Sequence, residues 1–247
     1  MVLKKVNKLV AFDFDDTLAE TGSLIGARFV TGSMSFEDFL FENNIHFVEF
    51  DHNFWWVDSA NYAILEDCDV PKDHEIEYDY AQTMQIDLST IRDIEPMVSL
   101  MRECISDPNT LTMVITARAG SATTFSPSLQ QNVTASNRTQ INRFLSERNI
   151  SIPDEHIHTV GEVMEDTSLA KAKVISDYVT KYSPDSFYFY DDSERNLRSA
   201  SNISISVLGE TQLKLIKVED GRITEYHNPH KKGIKDRLRE ILIRVTE

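Results

Sequence analysis

Residues 10–21, VAFDFDDTLAET, decide the fold. Val10, Ala11 and Phe12 read as the buried end of a strand. Asp13, Asp15 and Asp16 then crowd together where that strand stops. Carboxylates this close repel one another, and folding alone gains nothing from the arrangement. Acids delivered at a strand's carboxyl end fit an α/β sheet, where ligands bind beyond the strand ends.

Downstream, short apolar runs alternate with helical periodicity. TLTMVITA (110–117), EHIHTVG (155–161), DSFYFYDD (185–192) and ISISVLG (203–209) read as further strands. EPMVSLMRECI (95–105), NRTQINRFLSERNI (137–150) and SLAKAKVISDYVTKY (168–182) read as the intervening helices. Strand and helix repeated in this way predict a Rossmann-like, five-stranded parallel sheet with helices on both faces. Right-handed crossovers then put all the strand ends on one edge. KLIKVEDGRITEY (214–226) predicts a hairpin turning at Asp220-Gly221, and KKGIKDRLREILIRV (231–245) a basic amphipathic helix. The polar stretch SATTFSPSLQQNVTASN (121–137) lacks periodicity and reads as a long loop.

Residues 19–95 break the rhythm. They predict an inserted cap or lid, with TGSLIGARFVTG (21–32) as a flexible hairpin at its root. Residues 1–18 and 96–247 are left as the core. The insert carries 17 acidic residues against three basic ones, in a chain whose net charge is −15. Such a surface reads either as a solvated face that keeps a protein soluble or as one that repels polyanions or attracts a cationic partner. There is no apolar run of membrane-spanning length, and the amino-terminal apolar stretch enters DFDD with no small-residue cleavage site. Cys68 and Cys104 show no metal-like spacing. Together these predict a cytoplasmic protein in a reducing compartment.

At the shared edge the first strand offers Asp13, Asp15 and Asp16, the second Thr116, and the fourth Asp191 and Asp192. Converging carboxylates suit a hard cation, and magnesium suits a site shared with a phosphate. A carboxylate can attack phosphorus and divide one hard step into two easier ones. A second carboxylate two residues on can protonate the leaving oxygen and then deprotonate water. A lysine should offset the charge. Lys171 shares a helix face with Val174, Ile175 and Tyr178, whereas Lys173 lies with Asp177 and Thr180. Lys171 is the preferred candidate, and Lys173 the alternative.

DFDDTL, VITAR, the lysine and FYDDSERN together resemble the haloacid dehalogenase superfamily, over residues 1–18 and 96 to about 208. The resemblance implies Asp13 as nucleophile and Asp15 as general acid and base, with Thr116 and Lys171 holding the phosphoryl group. It also implies Mg2+ held by Asp13, the Asp15 carbonyl, Asp191 and Asp192. An acid at the position of Asp15 marks that superfamily's phosphatases and phosphomutases. The insert's position is similar to that of the superfamily's first class of cap.

Several residues have two readings. Arg118 could contact substrate or form a surface ion pair. Asn196 and Ser193 would brace the acid pair, and Asn196 is also a substrate candidate. Asp16 would cap the turn, and Trp55 and Trp56 would be cap core or a stacking platform. The histidines show no zinc spacing. The favoured function is a magnesium-dependent phosphomonoester hydrolase acting on a small phosphorylated metabolite or nucleotide. One alternative is 3′-phosphate removal from nucleic acid, which the acidic insert opposes and the basic 231–245 stretch favours. The other is a non-catalytic phosphate-binding or scaffold protein. The sequence carries no sign of oligomeric state.

Overall fold

The computed structural model describes residues 6–162 and 166–227. The first strand is β1 (Lys8–Phe12). The chain then builds a separate unit from β2 (Ala19–Glu20), β3 (Ile25–Thr31), α1 (Phe36–Glu42), β4 (Glu49–Asp51), β5 (Phe54–Val57), α2 (Ser59–Asp67), β6 (Glu75–Asp79) and β7 (Arg92–Asp93). It returns through α3 (Glu95–Ser106), β8 (Thr110–Thr116), β9 (Thr123–Ser126), β10 (Gln131–Thr134), α4 (Asn137–Glu147) and β11 (Ile157–Thr159). The last elements are α5 (Thr167–Tyr182), β12 (Ser186–Asp191), α6 (Glu194–Ser201), α7 (Ile205–Leu208), β13 (Gln212–Glu219) and β14 (Arg222–Glu225).

The central sheet has the order β11-β8-β1-β12-β13-β14. The five strands from β11 to β13 run parallel, and β14 adds an antiparallel edge. Successive side chains of a strand face opposite sides, so β1 feeds two cores. Val10 and Phe12 pack with Met97, Met101, Ile141 and Phe144 of α3 and α4. Leu9 and Ala11 pack with Ile175, Val179, Leu197 and Ala200 of α5 and α6. β1 is therefore apolar on both faces, as a central parallel strand must be. Full burial of each large side chain contributes about 1.5–3 kcal/mol. Among the described residues, no helix is long and apolar enough to cross a membrane.

The unit between β1 and α3 is a four-stranded antiparallel sheet of order β4-β5-β3-β6. Its own core contains Phe36, Phe39, Leu40, Val57 and Leu65. Ser35 and Asp58 cap the first turns of α1 and α2 by accepting from the amides of Asp38 and Asn61. The two connections to the central sheet run side by side, with β2 pairing antiparallel to β7.

Three sequence expectations are corrected. Residues 203–209 do not form the fifth strand. Ser204 precedes a single helical turn, α7, which Gly209 ends at positive φ, and Val207 and Leu208 pack on the α5–α6 side of the core. The fifth parallel strand is β13, which is also the first arm of the hairpin at Asp220-Gly221. Residues 123–134 form the hairpin β9–β10 rather than a loop, built on threonine and valine pairs such as Thr123 with Thr134. Residues 25–31 form one strand of the second sheet, flanked by β5 and β6, rather than a hairpin. Gly26 makes this possible, since a Cβ there would meet Asp79, Phe54 and Trp56 at 3.2 Å. The helix expected at 231–245 lies outside the described residues.

Candidate active site

The first strand ends in a tight turn that presents its acids. The Asp13 amide donates to the Tyr190 carbonyl at 2.8 Å, carrying the β1–β12 pairing one step further. Phe14 is fully buried, edge-on to Phe144, and anchors the chain between Asp13 and Asp15. The amides of Leu18 and Ala19 both donate to the Phe14 carbonyl, and the Asp16 amide donates to the Ala19 carbonyl. Asp16 takes a left-handed conformation (φ 54), which aspartate tolerates better than most residues.

Lys171, from the apolar stripe of α5, is 1% exposed and lies between two acids. Its Nζ is 2.8 Å from Asp13 Oδ1 and 2.8 Å from Asp191 Oδ2. Only the Asp191 contact has the direction of a hydrogen bond, which leaves Asp13 Oδ1 buried and without a hydrogen-bond partner. Asp192 completes the group: one oxygen from each of Asp13, Asp191 and Asp192 lies within 4.8 Å of the others. One ammonium thus faces three carboxylates. Burial pushes the Asp13 carboxyl well up; Lys171 pulls it back, while Asp191 and Asp15 push it further. Burial, then Asp191 and Asp13, push the Asp192 carboxyl up as well. Burial would discharge Lys171, but the two acids beside it outweigh that and hold it charged. Three clustered acids around one ammonium, all offering oxygen donors, fit a hard divalent cation.

Asp15 is held differently. Arg118 Nε lies 3.0 and 2.9 Å from its two oxygens, and Arg118 Nη2 is 2.6 Å from Oδ1. The Thr21 hydroxyl donates to Asp15 Oδ1 at 2.6 Å. Burial pushes the Asp15 carboxyl up, but the Arg118 charge, its hydrogen bonds and that of Thr21 prevail and hold it below its ordinary value. Arg118 is 5% exposed and the Asp15 side chain 25%, so the two form a part-buried pair rather than a surface one.

Thr116 is fully buried at the end of β8, and its hydroxyl accepts from the Arg118 amide at 3.2 Å. Asn196 donates to both oxygens of Asp191, at 2.9 and 3.1 Å, and the Ser193 amide donates to one of them. Both residues brace Asp191. Lys173 is on the surface, paired with Asp177. Asp16 accepts from Ser59 at the start of α2, at 2.6 Å. Trp56 is buried in the second sheet, while Trp55 lies between Phe47 and Phe50. His156 and His158 both contact the Tyr178 hydroxyl at 2.9 Å.

The second unit adds partners that the sequence alone did not single out. Arg118 donates to Thr21 and Ser23 hydroxyls and to the Thr83 carbonyl. Arg195 bridges Asp166, which caps α5, to Glu66 of α2. These residues are ordinary polar types far away in sequence, and no local pattern marks them. No protein-family model matches the chain, and no curated protein or solved structure matches it.

Proposed function

We propose that this protein is a magnesium-dependent phosphomonoester hydrolase of the haloacid dehalogenase type, working through an aspartyl phosphate. The observation that carries the reading is Lys171, buried between Asp13 and Asp191 at the carboxyl ends of parallel strands, with Asp192 alongside. A buried lysine between acids is a poor device for stability alone, since desolvation offsets much of the attraction. It is a good device for a site that must accept a phosphoryl dianion.

Asp13 attacks phosphorus: a bond forms from its oxygen to phosphorus, and the bond from phosphorus to the ester oxygen breaks. Asp15 gives that oxygen a proton. Asp15 then takes a proton from water as the water oxygen bonds to phosphorus, releasing phosphate and restoring Asp13. Arg118 favours the ionised Asp15 needed for the second half. An incoming phosphoryl dianion pushes the carboxyl back up and favours the protonated form needed for the first. Lys171 and the Thr116 hydroxyl hold phosphoryl oxygens. Bound Mg2+, held by Asp13, Asp191 and Asp192, would neutralise charge on the phosphoryl group.

The unit spanning 19–95 acts as a lid over this edge, latched through Asp16–Ser59 and Glu66–Arg195. Its acidity favours small monoesters over nucleic acid. The test is a panel of small phosphomonoesters assayed with magnesium and with EDTA, followed by trapping of phosphate on Asp13. Magnesium-dependent release with label on Asp13 is expected, and release that leaves Asp13 unlabelled overturns the mechanism.

A further inference from the structure

We propose that Arg118 is a positioning residue through which the inserted unit controls Asp15, so that the leaving group's proton is handled only when that unit is seated. This rests on the hydrolase reading above. Arg118 has two sets of partners. On one side its Nε and Nη2 grip the Asp15 carboxylate in a two-pronged pair at 2.6–3.0 Å. On the other, Nη2 reaches the hydroxyls of Thr21 and Ser23 at 2.9 and 2.7 Å, and Nη1 reaches the Thr83 carbonyl at 2.8 Å. Thr21 and Ser23 lie where the chain leaves the core, and Thr83 where it comes back.

Three further contacts make the clasp one unit. Thr21 donates to Asp15 itself at 2.6 Å. The Leu24 amide donates to the Gln82 side chain at 3.2 Å, tying the outgoing segment to the returning one. The Thr83 carbonyl also accepts from Asn137, the first residue of α4, which holds it against the core. Arg118 is 5% exposed, so its charge depends on these partners in place of water. Movement of the outgoing segment removes the Thr21 and Ser23 contacts, while Asn137 keeps the Thr83 carbonyl in place. Arg118 is then held on one side only, and the fork that aims the Asp15 oxygens loosens. A guanidinium suits this role because its planar fork fixes a carboxylate's direction, which an ammonium cannot do.

The proposal separates Arg118 from the residues that bind phosphate. A phosphate ligand affects every ester alike. A residue that aims the acid and base matters most where the leaving group needs a proton, and least where it departs as a stable anion. The variants are Arg118→Lys, which keeps the charge and loses the fork, and Ser23→Ala, which loosens only the insert side. Kinetic constants are measured on glycerol 2-phosphate, an alkyl ester, and on p-nitrophenyl phosphate, an aryl ester. Arg118→Lys should lose about tenfold more kcat on the alkyl ester than on the aryl ester, with KM on each changing by less than about threefold. Ser23→Ala should shift the same ratio in the same direction by a smaller amount. Equal losses on the two esters, or a loss carried by KM, overturns the proposal.

Hydrogen exchange supplies a readout that does not depend on turnover. In Arg118→Lys the amides of Leu24, Thr83 and Met84 should exchange about tenfold faster, while those of β1 and β12 keep their protection. Unchanged exchange at those three amides overturns the coupling. A wild-type protein inactive on both esters overturns the hydrolase reading instead, and the exchange result then decides the coupling by itself.

Discussion

Lys171 Nζ lies 2.8 Å from Asp191 Oδ2, and both side chains are shut away from solvent. The same nitrogen is 2.8 Å from Asp13 Oδ1, so one cation neutralises part of a cluster of three acids. Asn196 and the Ser193 amide hold Asp191 from behind. The lysine cannot be lost without leaving charges stranded in a place that water does not reach.

Lys171→Met should therefore be strongly destabilising when metal is chelated. Breaking one side of a buried pair costs about 3–5 kcal/mol, because the remaining charge stays buried and unpaired. Adding Asp13→Asn to that variant should recover part of the loss by removing one stranded charge. Urea denaturation in EDTA of the single and double variants checks both statements. A single variant as stable as wild type would contradict the pairing.

Asp13→Asn by itself should keep the fold, since the amide fills the same space and relieves crowding among the acids. Phosphatase activity should fall below about a hundredth of wild type, because an amide does not attack phosphorus. Circular dichroism with a p-nitrophenyl phosphate assay separates the two effects. In the wild type, activity should vanish in EDTA and return with magnesium. Calcium should inhibit, as its larger and looser coordination shell misplaces the nucleophile.

The core elements were legible because they are periodic. Leu9 to Phe12 is a continuous apolar run, and it proved to be a strand buried on both faces. The acids were legible because three aspartates in four positions repel one another at a strand end, a cost that folding alone does not require. The partners of Arg118 were not legible: Ser23 and Thr83 contact it from 95 and 35 residues away. The ISISVLG stretch looked like a strand because it alternates, but its serines suit a short helical turn equally well, and Ser204 and Ser206 bond each other there. The 121–137 stretch looked like a loop because its apolar residues are few. Its β-branched threonines pair across the hairpin instead.

The His158–Tyr178 contact makes a pH prediction away from the acids. Burial lowers the His158 ring to about 4, helped by the nearby charges of His156 and Arg138. A histidine whose folded value lies below its unfolded value of about 6.5 stabilises the fold in its neutral form. That contribution is present above about pH 6.5 and is lost as pH falls from there toward about 4, because the unfolded chain takes up the proton first. His158→Gln should flatten the fall in melting temperature across this window. An unchanged slope would show that His158 is not a source of the acid sensitivity.

The acidic insert should exclude polyanions from the site. Residues 19–95 carry 17 acidic residues against three basic ones, and the insert is tied to the core by Asp16–Ser59 and Arg195–Glu66. On the proposed lid reading, a phosphate backbone approaching the strand ends passes this surface, whereas a small monoester carries little charge beyond the group that reacts. A mononucleotide or sugar phosphate should therefore be hydrolysed far better than a 3′-phosphorylated oligonucleotide at low salt. Added salt should narrow the gap, since the screening length shrinks from about 30 Å at 0.01 M to about 10 Å at 0.1 M. The measurement is kcat/KM for both substrates at those two ionic strengths. A preference for the oligonucleotide by about tenfold or more at low salt, a difference of roughly 1.4 kcal/mol, would mean that the insert does not guard the site. Nucleic-acid end-processing would then become the better reading of the same residues.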